Sequence, residues 1–111
     1  MMLNKDLVAA SSTSIILSIL AKSESYGYEI IQKLRSVSGG RIEWSEGMLY
    51  PLLHRMEKEG MIKSEWRSTE SGRKRKYYRI NKQGKMALQN EKKQWETVNK
   101  TLLKLWEAPN V

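Results

Sequence analysis

The sequence predicts a mostly α-helical domain carrying one small β-hairpin, and three observations predict it. Apolar residues recur at helical spacing in four separate stretches, the period shortens to two over residues 61 to 80, and glycines mark the changes between stretches. With 111 residues and 12.9 kDa, 40% of them hydrophobic and 29% charged, the chain suits one compact domain with a single core.

The first helix is predicted over residues 5 to 21, with Asn4 as its cap and Leu7, Val8, Ile15, Ile16, Ile19 and Leu20 forming an apolar face broad enough for burial on more than one side. A polar break at residues 22 to 25 leaves Ser25 to cap a second helix. There Tyr26, Ile30, Leu34 and Val37 recur on one stripe until Gly39 and Gly40 end it. Residues 41 to 44 alternate briefly like a strand. Ser45 then caps a third helix with a buried stripe of Leu49, Leu52, Leu53 and Met56, ending at Gly60. Pro51 cannot donate to the carbonyl four residues back, so an irregular first turn or slight kink near Gly47 is expected there, without a break.

From Met61 onward, Ile62, Ser64 and Trp66 alternate with Lys63, Glu65 and Arg67. After a polar tip ending in Gly72, Lys74, Lys76, Tyr78 and Ile80 oppose Arg75, Tyr77 and Arg79. This reads as a hairpin with a glycine-containing loop. The last helix spans residues 82 to 107, placing Leu88, Trp95, Val98, Leu102 and Leu105 near heptad seam positions, and Pro109 follows its end. Trp66 and Trp106 are expected to pack. No internal repeat or flexible linker divides the chain; residues 1 to 81 form one unit and residues 82 to 111 its C-terminal helix, within one compact domain.

Composition excludes several chemistries. The absence of cysteine rules out disulfides, thiol nucleophiles and thiolate zinc sites, and His54 alone cannot build a histidine cluster. No nucleophile–base pair or phosphate-binding glycine loop is present, so neither an enzyme, a metal site nor a cofactor is expected. Without a spanning segment or a leader pattern, the chain reads as soluble and cytoplasmic, with no membrane partner.

The net charge is +8, and residues 61 to 80 hold seven basic and two acidic side chains, more than half of that excess. A concentrated basic stretch points to a polyanion. Three helices followed by a hairpin, with the third helix directly before the first strand, is the layout of a winged helix-turn-helix. Its third helix enters the DNA major groove and its hairpin is the wing. Arg73, Lys74, Arg75 and Lys76 follow the Gly72 turn and would project toward phosphates, although such a run also serves as a solvated edge that discourages strand aggregation. With the leucine stripe inward, Gly47, Tyr50, Pro51, His54 and Arg55 fall on the outer face of the third helix. Arg55 suits guanine readout, and Tyr50 suits a phosphate or a base edge. Tyr26 fits the buried stripe, while Tyr28 is the more exposed of the pair flanking Gly27, at a helix start where an anion is favoured.

Three segments, residues 26 to 30, 47 to 60 and 72 to 80, together resemble the PadR family of transcriptional regulators, in its short subgroup with a single C-terminal helix. The resemblance implies a winged-helix homodimer that represses transcription from an inverted repeat in double-stranded DNA. Residues Tyr26 to Tyr28, the outer face of the third helix and the wing would touch the duplex. Met48 departs from the small hydroxyl residue of many relatives, and Glu46 is acidic, so base preference does not transfer; an apolar Met48 in the groove suits a thymine methyl.

The last helix carries more apolar seam than a lone exposed helix needs, which favours pairing with a second copy; the alternative is a seam that folds back on its own domain. Across a dyad, two copies of Trp95 facing each other can stack on a planar aromatic ligand, or simply pack. A regulator that releases DNA when such an effector changes the spacing of its two reading helices is the resulting expectation. The alternative is a basic adaptor of the same fold that binds an acidic partner without reading sequence.

Overall fold

The computed structural model describes residues 3–107. Its elements follow in the order α1 (Lys5–Ala10), α2 (Ser12–Lys22), β1 (Ser25–Tyr26), α3 (Gly27–Val37), α4 (Glu46–Lys58), β2 (Ile62–Ser68), β3 (Lys74–Ile80) and α5 (Lys82–Trp106). The three strands form one antiparallel sheet in the order β1-β3-β2, with Ser25 opposite Tyr78 and Tyr26 opposite Tyr77 on one side, and Ile62 opposite Ile80 on the other.

Ile16, Leu17 and Leu20 of α2, Ile30 and Leu34 of α3, and Leu49, Leu53 and Met56 of α4 bury against Ile62 and Tyr78 of the sheet and Leu88 of α5. Each large apolar side chain taken from water there contributes roughly 1.5–3 kcal/mol, which is what holds three short helices together. This is a winged helix-turn-helix with an added C-terminal helix: α3 and α4 are the helical pair, and β2 with β3 the wing. Among the described residues no helix is long and apolar enough to cross a membrane.

Several local expectations need correction. The first helix is two helices, because the serine run diverts backbone acceptors. The Ser11 hydroxyl donates to the Leu7 carbonyl at 2.8 Å and that of Ser12 to Val8 at 3.3 Å, and the chain turns at Ser11. Asn4 does cap α1, accepting from Asp6 and Leu7 amides. Ser25 is not the cap of α3. It lies buried in β1 with its hydroxyl donating to the Glu29 carboxylate, and Tyr26, with no side-chain cap bond, takes the cap position.

Residues 41 to 44 form no strand and pair with neither edge of the sheet. They run irregularly, with Trp44 buried and the Ile42 amide donating to Ser38 Oγ at 3.0 Å. Val37 is exposed and Leu52 only half-buried. Trp66 and Trp106, expected to pack, are 64% and 70% exposed. Leu88, expected in an intermolecular seam, is 4% exposed in the core of its own chain. The expected stop at Pro109 lies outside the described residues.

Asn81 joins the winged body to α5. Its side chain caps α5 by accepting from the Gly84 amide at 2.9 Å and donates to the Gly60 carbonyl at 2.7 Å. Gly84 is required at this joint, for a Cβ there would stand 2.1 Å from the Met61 carbonyl oxygen. Only the first half of α5 packs on the body, against α2 and β3; residues 96–107 are all exposed.

Candidate nucleic-acid interface

Ser45 starts α4 by accepting the Met48 amide on its side chain at 3.2 Å, while its carbonyl accepts from both Met48 and Leu49. That shared carbonyl makes the first turn irregular beside Gly47, where the sequence predicts an irregular turn or slight kink. The helix continues unbroken to Lys58, since Pro51 deprives only the carbonyl of Gly47, an exposed residue within reach of water. Leu49, Leu53 and Met56 face inward, and Gly47, Met48, Pro51, His54 and Arg55 are exposed.

Between the start of α3, the outer side of α4 and the wing lies a cleft of ≈ 590 Å³. Tyr26, Gly27 and Tyr28 line it from β1 and α3, Glu46, Tyr50 and His54 from α4, and Trp66, Arg73, Lys74, Arg75, Lys76 and Tyr78 from the wing. Four cations thus share the cleft with a single acid. Because Tyr26 supplies no side-chain acceptor, the first amides of α3 keep their capacity to bind an anion, and the positive end of that helix adds to the cationic field.

Of the candidate residues, this cleft gathers Tyr26, Tyr28, Tyr50, His54 and the four wing cations. Gly47, Met48 and Pro51 remain on the exposed surface of α4 outside its lining. Arg55 is turned the other way: its guanidinium donates to Thr13 of α2 at 3.1 Å and pairs with Glu59 at 3.4 Å. Tyr50 is half-buried with its ring packed over Gly27, where a Cβ would meet the hydroxyl at 2.5 Å. Burial and the nearby Glu46 charge raise its pKa, keeping the phenol a neutral donor. Tyr26 leaves the helical stripe for the sheet, its ring 5.4 Å from that of Tyr77 in an edge-to-face arrangement, with the Arg75 guanidinium 4.4 Å above it. Tyr28 is exposed and accepts from Gln32 at 2.6 Å.

Two members of the cleft were not legible as such. Tyr78 is fully buried, and its hydroxyl has no protein partner among the described residues; burial pushes its pKa up to about 12. Trp66 overhangs the cleft with the Lys76 ammonium 5.9 Å from its ring. The signal for Trp66 was the length of the hairpin, which outruns the helices that cover its base. No group of residues able to hold a metal ion occurs among the described residues.

Sequence and fold also place the chain among known proteins. The family model of the transcriptional regulator PadR-like family matches residues 16–90. The chain belongs to the PadR family. The matched region ends shortly after Leu88, where α5 leaves the core. Among curated relatives, the transcriptional regulator Rv3488 of Mycobacterium tuberculosis is 38% identical over 88 residues, covering 79% of this chain and 78% of its own. A solved transcriptional regulator from Clostridium thermocellum is similar at 33% identity and a TM-score of 0.84, covering 93% of this chain and 97% of its own. A PadR-like transcriptional regulator from Bacillus cereus, at 34% identity and a TM-score of 0.82, covers 95% of this chain and all of its own. The chain is a transcriptional regulator of this family.

Distal to that match, α5 presents Val98, Leu102, Leu103, Leu105 and Trp106 to solvent, and Leu7 of α1 is exposed as well. Trp95 sits at the boundary, half-buried. Its indole N–H donates to Ser14 Oγ at 3.1 Å, and the Ser14 hydroxyl donates to Glu91.

Proposed function

We propose that this PadR-family chain is a cytoplasmic repressor that binds an inverted repeat in double-stranded DNA as a homodimer. The observation that carries the reading is the cleft, where Arg73, Lys74, Arg75 and Lys76 face the uncapped start of α3 and the outer side of α4 across a space open to a phosphodiester strand. In this reading residues 1 to 81 are the reading unit, α4 enters the major groove with Gly47, Met48, Pro51 and Arg55 near base edges, and the wing grips the backbone. Arg55 must leave Thr13 to reach a base.

Residues 82 to 111 serve as the dimerisation helix. The last eleven residues of α5, all exposed and rich in leucine, lack the burial that ordinarily stabilises a helix in water. A second copy supplies it, joining Val98, Leu102 and Leu105 to their mates. With its N–H committed to Ser14, Trp95 has only apolar ring surface left to offer across a dyad, which suits a planar aromatic effector. An effector that favours one dimer spacing over another lowers operator affinity by its own preference, because both α4 helices must fit groove faces roughly 34 Å apart.

Titration of the duplex upstream of the coding region against random duplex at physiological salt tests the reading. Specific regulators show ratios on the order of 10³ or more, whereas an adaptor shows none. A panel of planar aromatic compounds should weaken operator binding, and Trp95→Ala should abolish that response while leaving DNA affinity intact.

A further inference from the structure

The hairpin has three-stranded support only at its base, since β1 ends at the Tyr26 pairing with Tyr77. Beyond that point β2 and β3 continue as a two-stranded ribbon, a form that twists readily and is marginal by itself. At the point of departure stands Arg67. Its Nη2 donates to Glu24 Oε2 at 2.9 Å, its Nη1 to the other oxygen of the same carboxylate, and its Nε to Glu65 at 2.6 Å. The guanidinium plane lies 4.7 Å from the ring of Tyr77 on the middle strand. Glu24 precedes β1, so the contact reaches from one edge strand across the middle of the sheet to the flank of the other edge strand.

We propose that Arg67 is a positioning residue, clasping the wing to the body through Glu24 and so fixing the angle at which the free wing cations meet a duplex. The inference rests on the DNA-binding reading for its consequence, though not for its geometry. Arg67 belongs to the basic stretch but differs in kind from Arg73, Lys74 and Lys76: each of its three nitrogens already donates to a carboxylate, which holds the guanidinium on the body side of the wing and offsets its charge. Isolated exposed ion pairs contribute little. A two-pronged guanidinium–carboxylate contact, extended by a second carboxylate and an aromatic face, is the arrangement in which geometry is held. The Glu24 carboxyl is held below its ordinary range, first by the Arg67 hydrogen bond, in keeping with a formed contact. The space enclosed by Glu24, Lys63, Ser64, Glu65, Arg67, Tyr77 and Arg79 is ≈ 10 Å³, room for one water and for no ligand. The cluster therefore serves as a structural tie and not a binding site.

Glu24→Ala separates this role from simple electrostatics, because removing an acid near a polyanion should by itself tighten binding, while unclasping the wing should loosen it. Operator affinity of Glu24→Ala and of Arg67→Ala is expected to fall about fivefold through lost preorganisation, with the salt dependence unchanged. The exchanged pair, Glu24→Arg with Arg67→Glu, should recover most of the loss, and hydrogen exchange at β2 and β3 amides of the free protein should accelerate in each single variant. Binding by Glu24→Ala as tight as the parent, or a salt slope reduced by about one in Arg67→Ala, overturns the proposal, since the latter marks a direct phosphate contact. If the parent binds no duplex, the DNA reading fails and exchange alone decides: faster wing exchange keeps the clasp, and unchanged exchange removes it.

Discussion

The wing and the distal half of α5 both extend away from the core, and they differ in what they present. The wing carries charge, and its base is tied down by ladder pairing, ring contacts and the Arg67 contacts. Distal α5 carries leucine and tryptophan, and residues 96–107 are all exposed. Solvated cations without partners are stable in water, so the wing can wait for a polyanion. Exposed apolar residues along a helix cannot be left so cheaply, and a copy of the same helix is the most available cover. On the proposed reading, one chain holds a finished gripping surface and half of an unfinished one.

The joint between these regions should be the most fragile point. A methyl group at Gly84 would sit 2.1 Å from the Met61 carbonyl oxygen, a backbone atom that cannot swing aside, and 2.7 Å from the Ile80 side chain. Gly84→Ala is expected to cost about 3 kcal/mol in chemical denaturation. A loss near zero would mean that α5 is not seated on the body at Asn81.

The wing itself is sharpened by removing its free cations. Replacing Arg73, Lys74 and Arg75 together with alanine should weaken binding to every duplex by on the order of tenfold or more, and reduce the salt slope by about two to three. An unaltered slope would take the wing out of the interface. Paired with the unchanged slope expected for Arg67→Ala, this result would divide the basic stretch into gripping and positioning residues.

The smallest effect concerns acid. Because Arg67 depresses the Glu24 carboxyl, its stabilising contribution is complete above the ordinary carboxylate pKa of 4.5 and disappears as pH falls through the lower folded value. Following the Glu24 carboxyl by nuclear magnetic resonance should give a midpoint below 4.5 that rises in Arg67→Ala; a midpoint already at the ordinary value would show the clasp open in solution.

Periodicity carried most of the fold. The switch from helical to alternating spacing at Met61 located the wing, and Asn4 and Ser45 marked helix starts that hold. Those features are local, set by residues within one or two turns. What sequence could not show depends on partners distant along the chain. Ser25 and Tyr26 look like a helix start until β3 is beside them, and residues 41 to 44 look like a strand until Trp44 is drawn into the core and no strand pairs with them. The same holds for the site. The wing cations were evident from charge density, but Tyr50 lying over Gly27, Arg55 turned to Thr13, and Trp66 left uncovered all follow from how the elements meet. Leu88 shared its helical stripe with Trp95 and Val98, and only the place where the body ends separates a core residue from an exposed one.

Sedimentation equilibrium of the purified chain at micromolar concentration tests the pairing of two copies most directly. A single species of twice 12.9 kDa is predicted, reverting to one chain when Leu102 and Leu105 are both changed to lysine while the helical signal of the winged body persists. A parent protein that sediments as one chain of 12.9 kDa under those conditions would contradict the account.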